Sequence, residues 1–517
     1  MMAIKNFRSN ISTNFKELKS DGVDFLNFLK NNKFTVIINW FFILMAYGIK
    51  LFFHSISIDT EVIINNYQGQ LNAWLSIGRF GLILNKKFFR LIPFNPYVAC
   101  FLMLNTMFLF SIFLSFLFDF LSLKKEQKNK FIFILPCVFI TSPLFTEQFN
   151  FILQGFEVSF AIFLVSLTAF FITKWVLNSG NFLYLIFGIF FMIWGFASYQ
   201  AVVFLYISII LSCFYFIYAS NKDKEDNKFF INFALKYAFT FLIGYVFYFI
   251  FNKIITSSMG ISGVYLDNMI DWENNGFFYC LKTIILYVLG CKMYIILSMP
   301  LLYFGFMNLF KNNKCKILFF LSSIALVLSP FFLCFILGHG LIARSQFSLQ
   351  FVMAFAMYFL LYNLKKIKKL KFFIVLFAVF LSFNQAYSVA NYMYTDYMKY
   401  QSEVALANKI SYKIDSLQSD YGKDIPVVFV GSTHPLNTPN ESKGEVIGSS
   451  FFEWDKECEF GSNYRILGFM KTIGYPYKEP NQEQINKGKE IAKTMPSWPN
   501  QNSVVFKDDL IVVKLSD

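Results

Sequence analysis

The length of the apolar runs constrains this chain more than any other feature. Between residues 34 and 390 the sequence repeatedly presents apolar blocks with few charges. They are mostly about 17 to 25 residues long, enough to cross a hydrocarbon core about 30 Å thick. Inside such a core each backbone N–H and C=O must be paired within its own segment, so the runs are predicted to be helices. The first is Phe34–Phe53. Others fall at 97–121, 131–145, 152–173, 181–197, 201–219, 229–251, 293–310, 317–337, 347–363 and 372–390. The chain therefore reads as a polytopic α-helical membrane protein with about eleven spans. Charged residues make up 15% of it, against about 25% in soluble domains. The stretch Phe277–Gly290 is apolar but short for crossing, and reads as a helix lying along the surface.

Charge placement orients the layout. The formal net charge of +14 does not point to nucleic acid, because the lysines cluster between the apolar runs, as the positive-inside rule expects. Lys5, Arg8, Lys16, Lys19, Lys30 and Lys33 mark residues 1–33 as a cytoplasmic segment with no signal-peptide pattern. Lys124-Lys125, Lys222 and the run at 365–369 mark later cytoplasmic loops. Cytoplasmic segments hold roughly twenty Lys and Arg and the outer membrane-side loops roughly eight. The amino terminus is then inside, and residues 391–517 are outside. Residues 34–390 form the membrane part, with outer loops at 54–96 and 253–291.

Beyond residue 391 the apolar runs shrink to strand size. Ser402–Gln418 has the pattern of an amphipathic helix. Ile425–Val430 reads as a buried strand and Gln482–Lys493 as a helix. Two short strands flank Lys507-Asp508-Asp509 as a hairpin. This predicts a small extracytoplasmic α/β domain. Seven of the eight cysteines lie in or beside apolar runs, which is not a disulfide framework. No zinc spacing, phosphate loop or dinucleotide fingerprint is present. Neither a divalent metal nor another cofactor is expected.

The chemistry-bearing residues gather in the outer segments. Asp59 and Glu61 follow the first run, next to His54. A carboxylate there can take a proton from a hydroxyl. Two acids close together push one pKa upward. A pair of solvated surface acids is the alternative. The chain holds five arginines: Arg8, Arg79, Arg90, Arg344 and Arg465. All but Arg8 fall on the outer side, where basic residues should be scarce. Arginine grips phosphate bidentately, which makes Arg79, Arg90 and Arg344 candidates for a lipid-phosphate sugar donor. Arg465 reads as structural in the tail. His54 and His339 at the ends of runs, Glu147, and Tyr199-Gln200 face the same predicted cavity. Glu157 lies inside an apolar run, where an isolated charge is costly, and calls for a Lys or Tyr on a neighbouring helix.

Asp59-Thr60-Glu61, Gly78-Arg79, Ser142-Pro143 with Glu147, Ser198-Tyr199-Gln200-Ala201 and the ending Pro496-Ser497-Trp498-Pro499 through Lys514 together resemble the bacterial glucosyltransferase II family, membrane enzymes that modify O antigen. The resemblance implies a C-type glycosyltransferase fold. It further implies a catalytic carboxylate in the first outer loop, a polyprenyl-phosphate sugar donor, and a surface glycan acceptor such as O antigen. The setting would be the bacterial cytoplasmic membrane, with its lipids as surroundings. Family members often carry two adjacent acids where this chain has Thr60 between them, so either Asp59 or Glu61 can be the base. A transporter or flippase of lipid-linked sugars is the reading from another class. It would place charges near the bilayer midplane and show repeat symmetry, and no internal repeat is evident. A glycan polymerase or ligase would use the same lipid phosphate but lean on arginines.

Overall fold

The computed structural model describes residues 2–122, 130–178, 180–221, 226–260, 270–310, 316–364, 368–421, 424–435 and 442–517. Lys124, Lys125, Lys222 and residues 365–367 of the lysine run lie outside them. Seven helices among the described residues are long and apolar enough to cross a membrane: Pro96–Leu121, Gly155–Leu177, Val202–Ser220, Asn227–Ser258, Lys292–Leu309, Lys316–Leu337 and Lys368–Tyr421. Four shorter apolar helices accompany them: Lys33–Tyr47, Phe182–Ser198, Phe277–Gly290 and Phe347–Asn363. Close helix contact is made through glycine. A Cβ on Gly188 would meet Ile172 Cδ1 at 2.5 Å, so the small residue lets Phe182–Ser198 lie against Gly155–Leu177.

The run at 131–145 does not form one span. It gives a helix of 7 residues, Ile134–Ile140, about 10 Å long, and a second short helix, Leu144–Asn150. Ser142-Pro143 explains the break: proline has no N–H to give, and the residue before it is pushed out of the helical region. Glu157 finds the partner its burial demands. Lys86 Nζ lies 2.8 Å from Glu157 Oε1, with both side chains fully buried.

The largest departure is at residue 391. The expected separate helix at 402–418 is the upper end of one 54-residue helix, Lys368–Tyr421. Its buried stripe runs Ala378, Ser382, Ala386, Val389, Met393, then Asp396, Lys399 and Glu403, then Ala407, Ile410 and Ile414. The spacing of three and four is unbroken; only the chemistry changes in the middle. Charged residues at core positions hide the continuity from a hydropathy reading. They are buried because they satisfy one another. Lys50 Nζ is 3.0 Å and Lys399 Nζ 3.9 Å from Asp396, and Lys399 is 3.2 Å from Glu403. Asn150 also donates to Asp396, at 3.1 Å.

The tail holds a three-stranded sheet in the order β1-β3-β2, with β1 Val427–Val430, β2 Val504–Lys507 and β3 Leu510–Lys514. β1 pairs parallel to β3, and β2 pairs antiparallel to it. Lys507 faces Leu510 across the hairpin. Asp508 and Asp509 both take positive φ, 53° and 61°, as a two-residue turn between twisted strands requires. The helix Gln482–Ala492 starts from a capping box between Asn481 and Gln484. The tail does not stand apart from the rest. Ile58, Ile63 and Trp74 of the 54–96 segment share one apolar core with Phe451, Ile466 and Met470.

Candidate functional site

That shared core brings two distant stretches together. The short helix Thr60–Asn65 lies against the helix Asn463–Thr472. Asn65 Nδ2 donates to Gly468 O at 2.8 Å and to Thr472 Oγ1 at 3.0 Å. A Cβ on Gly468 would sit 3.2 Å from Glu61 Cγ, so this position keeps the acid close. The docking places Arg465 over the sequence pair. Its Nη1 lies 2.7 Å from Asp59 Oδ1 and 2.6 Å from Glu61 Oε1, and its Nε lies 2.7 Å from Asp455 Oδ2. Arg465 is therefore a clamp on the two acids as well as a support within the tail, through Asp455.

One guanidinium facing three carboxylates leaves excess negative charge if all three ionise, which favours keeping one proton. Glu61 is the most buried of them, at 2% exposure, while Asp59 is 41% exposed. Burial pushes the Glu61 carboxyl up to about 7, against the opposing pull of Arg465. Its Oε2 is buried with no hydrogen-bond partner. Asp59 caps the helix in a left-handed conformation, φ 71°, and Asp455 also has positive φ, 65°. Such backbone costs of order 1 kcal/mol for a non-glycine residue and collects at functional sites. Glu61, Asp455 and Arg465 open onto a cleft of about 510 Å³ that Asn65, Tyr464 and Glu479 also line.

A second cluster gathers around Tyr199. Arg79 lies over its ring, 4.6 Å from the centroid, and donates to Gln200 Oε1 and Gln154 Oε1 at 3.1 Å each. Gly78 holds the preceding turn at φ 78° and receives the Tyr248 hydroxyl on its carbonyl at 3.3 Å. Arg344 lies over Phe151 at 5.2 Å and pairs with Glu445 of the tail at 3.0 Å. Glu147 is not part of an open cavity. Its carboxylate accepts the backbone N–H groups of Glu445, Val446 and Ile447 at 2.7, 3.0 and 3.4 Å. It ties the tail loop to the helix Leu144–Asn150.

Three candidates lie elsewhere. Arg90, at φ 54°, lines a different cleft with Tyr67, Lys86 and Lys87. His54 is exposed and packs edge-on to Tyr97 at 5.9 Å. His339 Nδ1 lies 2.7 Å from Gly340 O, so that nitrogen carries the proton and donates. Sequence reasoning missed Asp455, Glu445 and the buried run Lys50, Asp396, Lys399 and Glu403. Arg465 carried a usable signal: it is one of five arginines in a lysine-rich chain. Among the described residues no group of three His, Cys, Asp or Glu side chains is placed to hold a metal ion.

The sequence model of the family described as Glucosyl transferase GtrII matches residues 48–361. This chain belongs to the GtrII glucosyltransferase family. The match covers Asp59, Glu61, Arg79, Tyr199 and Arg344 and ends before the tail that supplies Arg465. No curated protein and no solved structure matches the chain. GtrII membership implies a glycosyltransferase, and the apolar helices of this member suit it to a membrane.

Proposed function

We propose that this GtrII protein moves a hexose, glucose by family, from a polyprenyl-phosphate donor to a surface glycan such as O antigen. The reaction takes place on the outer face of the bacterial cytoplasmic membrane, with the amino terminus inside and the tail outside. The observation that carries this reading is the clamp: a buried carboxyl with a pKa near neutrality beside an arginine-held partner, over an open cleft. A general base works best when its pKa lies near the working pH.

Glu61 takes the proton of the acceptor hydroxyl. The acceptor oxygen forms a bond to the sugar's anomeric carbon as the bond from that carbon to the phosphate oxygen breaks. The lipid phosphate leaves with the bonding electrons. Asp59, held by Arg465, stabilises positive charge on the ring as the leaving group departs, by analogy with glycosidases. Arg344 and Arg79 hold the departing phosphate by charge-assisted hydrogen bonds. Their platform of Tyr199, Gln200 and Gln154 fixes Arg79 before the donor arrives. This chemistry calls on no metal.

The test is purified protein in a bilayer disc with polyprenyl-phosphoglucose and a glycan acceptor, the product read by mass. Glu61→Gln is expected to lower kcat by about 10² to 10⁴, the usual contribution of a positioned base. A base must be ionised, so kcat/KM should fall as pH drops through about 7, where the folded protein places Glu61. Full transfer by the Asp59→Asn, Glu61→Gln double variant would sink the assignment.

A further inference from the structure

The tail loop 442–451 is held at three points, yet it reaches Arg344 with a side chain that none of the three restrains. Glu147 accepts the amides of residues 445 to 447. Lys399 donates to Ser449 O at 2.8 Å. Glu403 accepts the Phe451 amide at 2.6 Å. A Cβ on Gly444 would collide with Glu147 Oε1, so the loop lies flush on its anchor. From this fixed backbone Glu445 extends to Arg344, a single contact of 3.0 Å between Oε1 and Nη2. The other oxygen, Oε2, is buried without a hydrogen-bond partner. Both residues are about 30% exposed, 30% for Arg344 and 28% for Glu445.

A one-point contact with an unsatisfied second oxygen is a poor use of a guanidinium, which prefers a two-point grip. A buried oxygen without a partner also costs free energy that release to water restores. The pair is thus built to be exchanged. We infer that Glu445 is a placeholder: its carboxylate occupies the position on Arg344 that the donor phosphate takes, and the phosphate displaces it. This rests on the reading of Arg344 as a donor-phosphate grip. It adds a role for the tail, which sets donor affinity through one competing anion. The backbone anchors stay in place while the Glu445 side chain swings, so the loop does not have to leave the protein.

The experiment measures KM for polyprenyl-phosphoglucose and kcat in Glu445→Gln, Arg344→Lys and the double variant. Removing a competing partly exposed anion is expected to lower donor KM about two- to fivefold, the range of such pairs. The gain should vanish in the Arg344→Lys background, where the single variant raises donor KM. Inorganic phosphate should inhibit Glu445→Gln at lower concentration than the native enzyme. If Arg344→Lys raises KM while Glu445→Gln leaves it unchanged or raises it, the placeholder is overturned and the phosphate grip stands. If neither variant moves KM, both are overturned. Glu490→Gln, in an exposed pair with Lys493, serves as the control for a generic change in surface charge.

Discussion

Arg465 shows how far a contact can reach beyond what a sequence displays. It lies 404 residues from Glu61, and nothing local to Asn463-Tyr464-Arg465 announces an acid partner. Asp59 and Glu61 were legible because acids are scarce in this chain and these two stand at the end of an apolar run. Which of them differs in environment was not legible, since Thr60 separates them in sequence while burial separates them in space. The clamp yields a signed prediction. Arg465 holds the Glu61 pKa down against burial, so Arg465→Met should move the acidic limb of kcat/KM to higher pH, above about 7. A pH profile of the variant checks it; a limb that stays in place would mean that Glu61 is not the titrating base. Arg90 and His54 lie apart from the clamp, Arg90 on another cleft and His54 against Tyr97.

At the scale of single elements, the apolar helices were the easiest to read, and the broken run at 131–145 and the long helix Lys368–Tyr421 the hardest. Pro143 marked the short run at 131–145 as interrupted, but not that the residues after it, which read as a turn, form a helix of their own, Leu144–Asn150. The helix Lys368–Tyr421 failed for a different reason. Asp396, Lys399 and Glu403 look like the start of a soluble region, and their stripe becomes apparent only when Lys50 of another helix is brought beside them. A buried pair that loses one member leaves an uncompensated charge, at a cost of about 3 to 5 kcal/mol. Lys50→Met is therefore expected to lower thermal stability in detergent sharply. Lys50→Met combined with Asp396→Leu should recover much of the loss, because a matched apolar pair leaves little buried charge behind. Equal damage in both proteins would show that the lysine contributes something other than charge balance.

For the whole molecule, the important result is that the tail supplies Arg465 and Asp455 to the cluster around Asp59 and Glu61. Its strands and its helix at 482–492 follow from alternation, turn residues and capping that are all local. Its attachment does not, because the apolar residues that join it to the 54–96 segment lie on both sides and belong to neither alone. A protein ending after residue 421 should lose transfer while keeping its apolar helices. Adding the tail on a separate chain should restore activity only if the docking of Asn65 on Gly468 re-forms. Transfer by the shortened protein at the native rate would detach Arg465 from the chemistry.

The long helix has a mechanical consequence. Its 54 residues include neither proline nor glycine, so it offers no joint at which the lower half could move without the upper. Asp396 lies close to its midpoint, with some 38 Å of helix beyond it. A tilt of about 10°, well within what bilayers impose on helices, would sweep the far end through roughly 7 Å, more than twice the reach of a hydrogen bond. The buried ions stand at the fulcrum of this beam, where a restraint of short range resists rotation without having to span the arm. At that far end Tyr421 stacks on Phe506 of β2, 4.2 Å between ring centroids, so what the pivot holds steady is the seat of the tail's sheet.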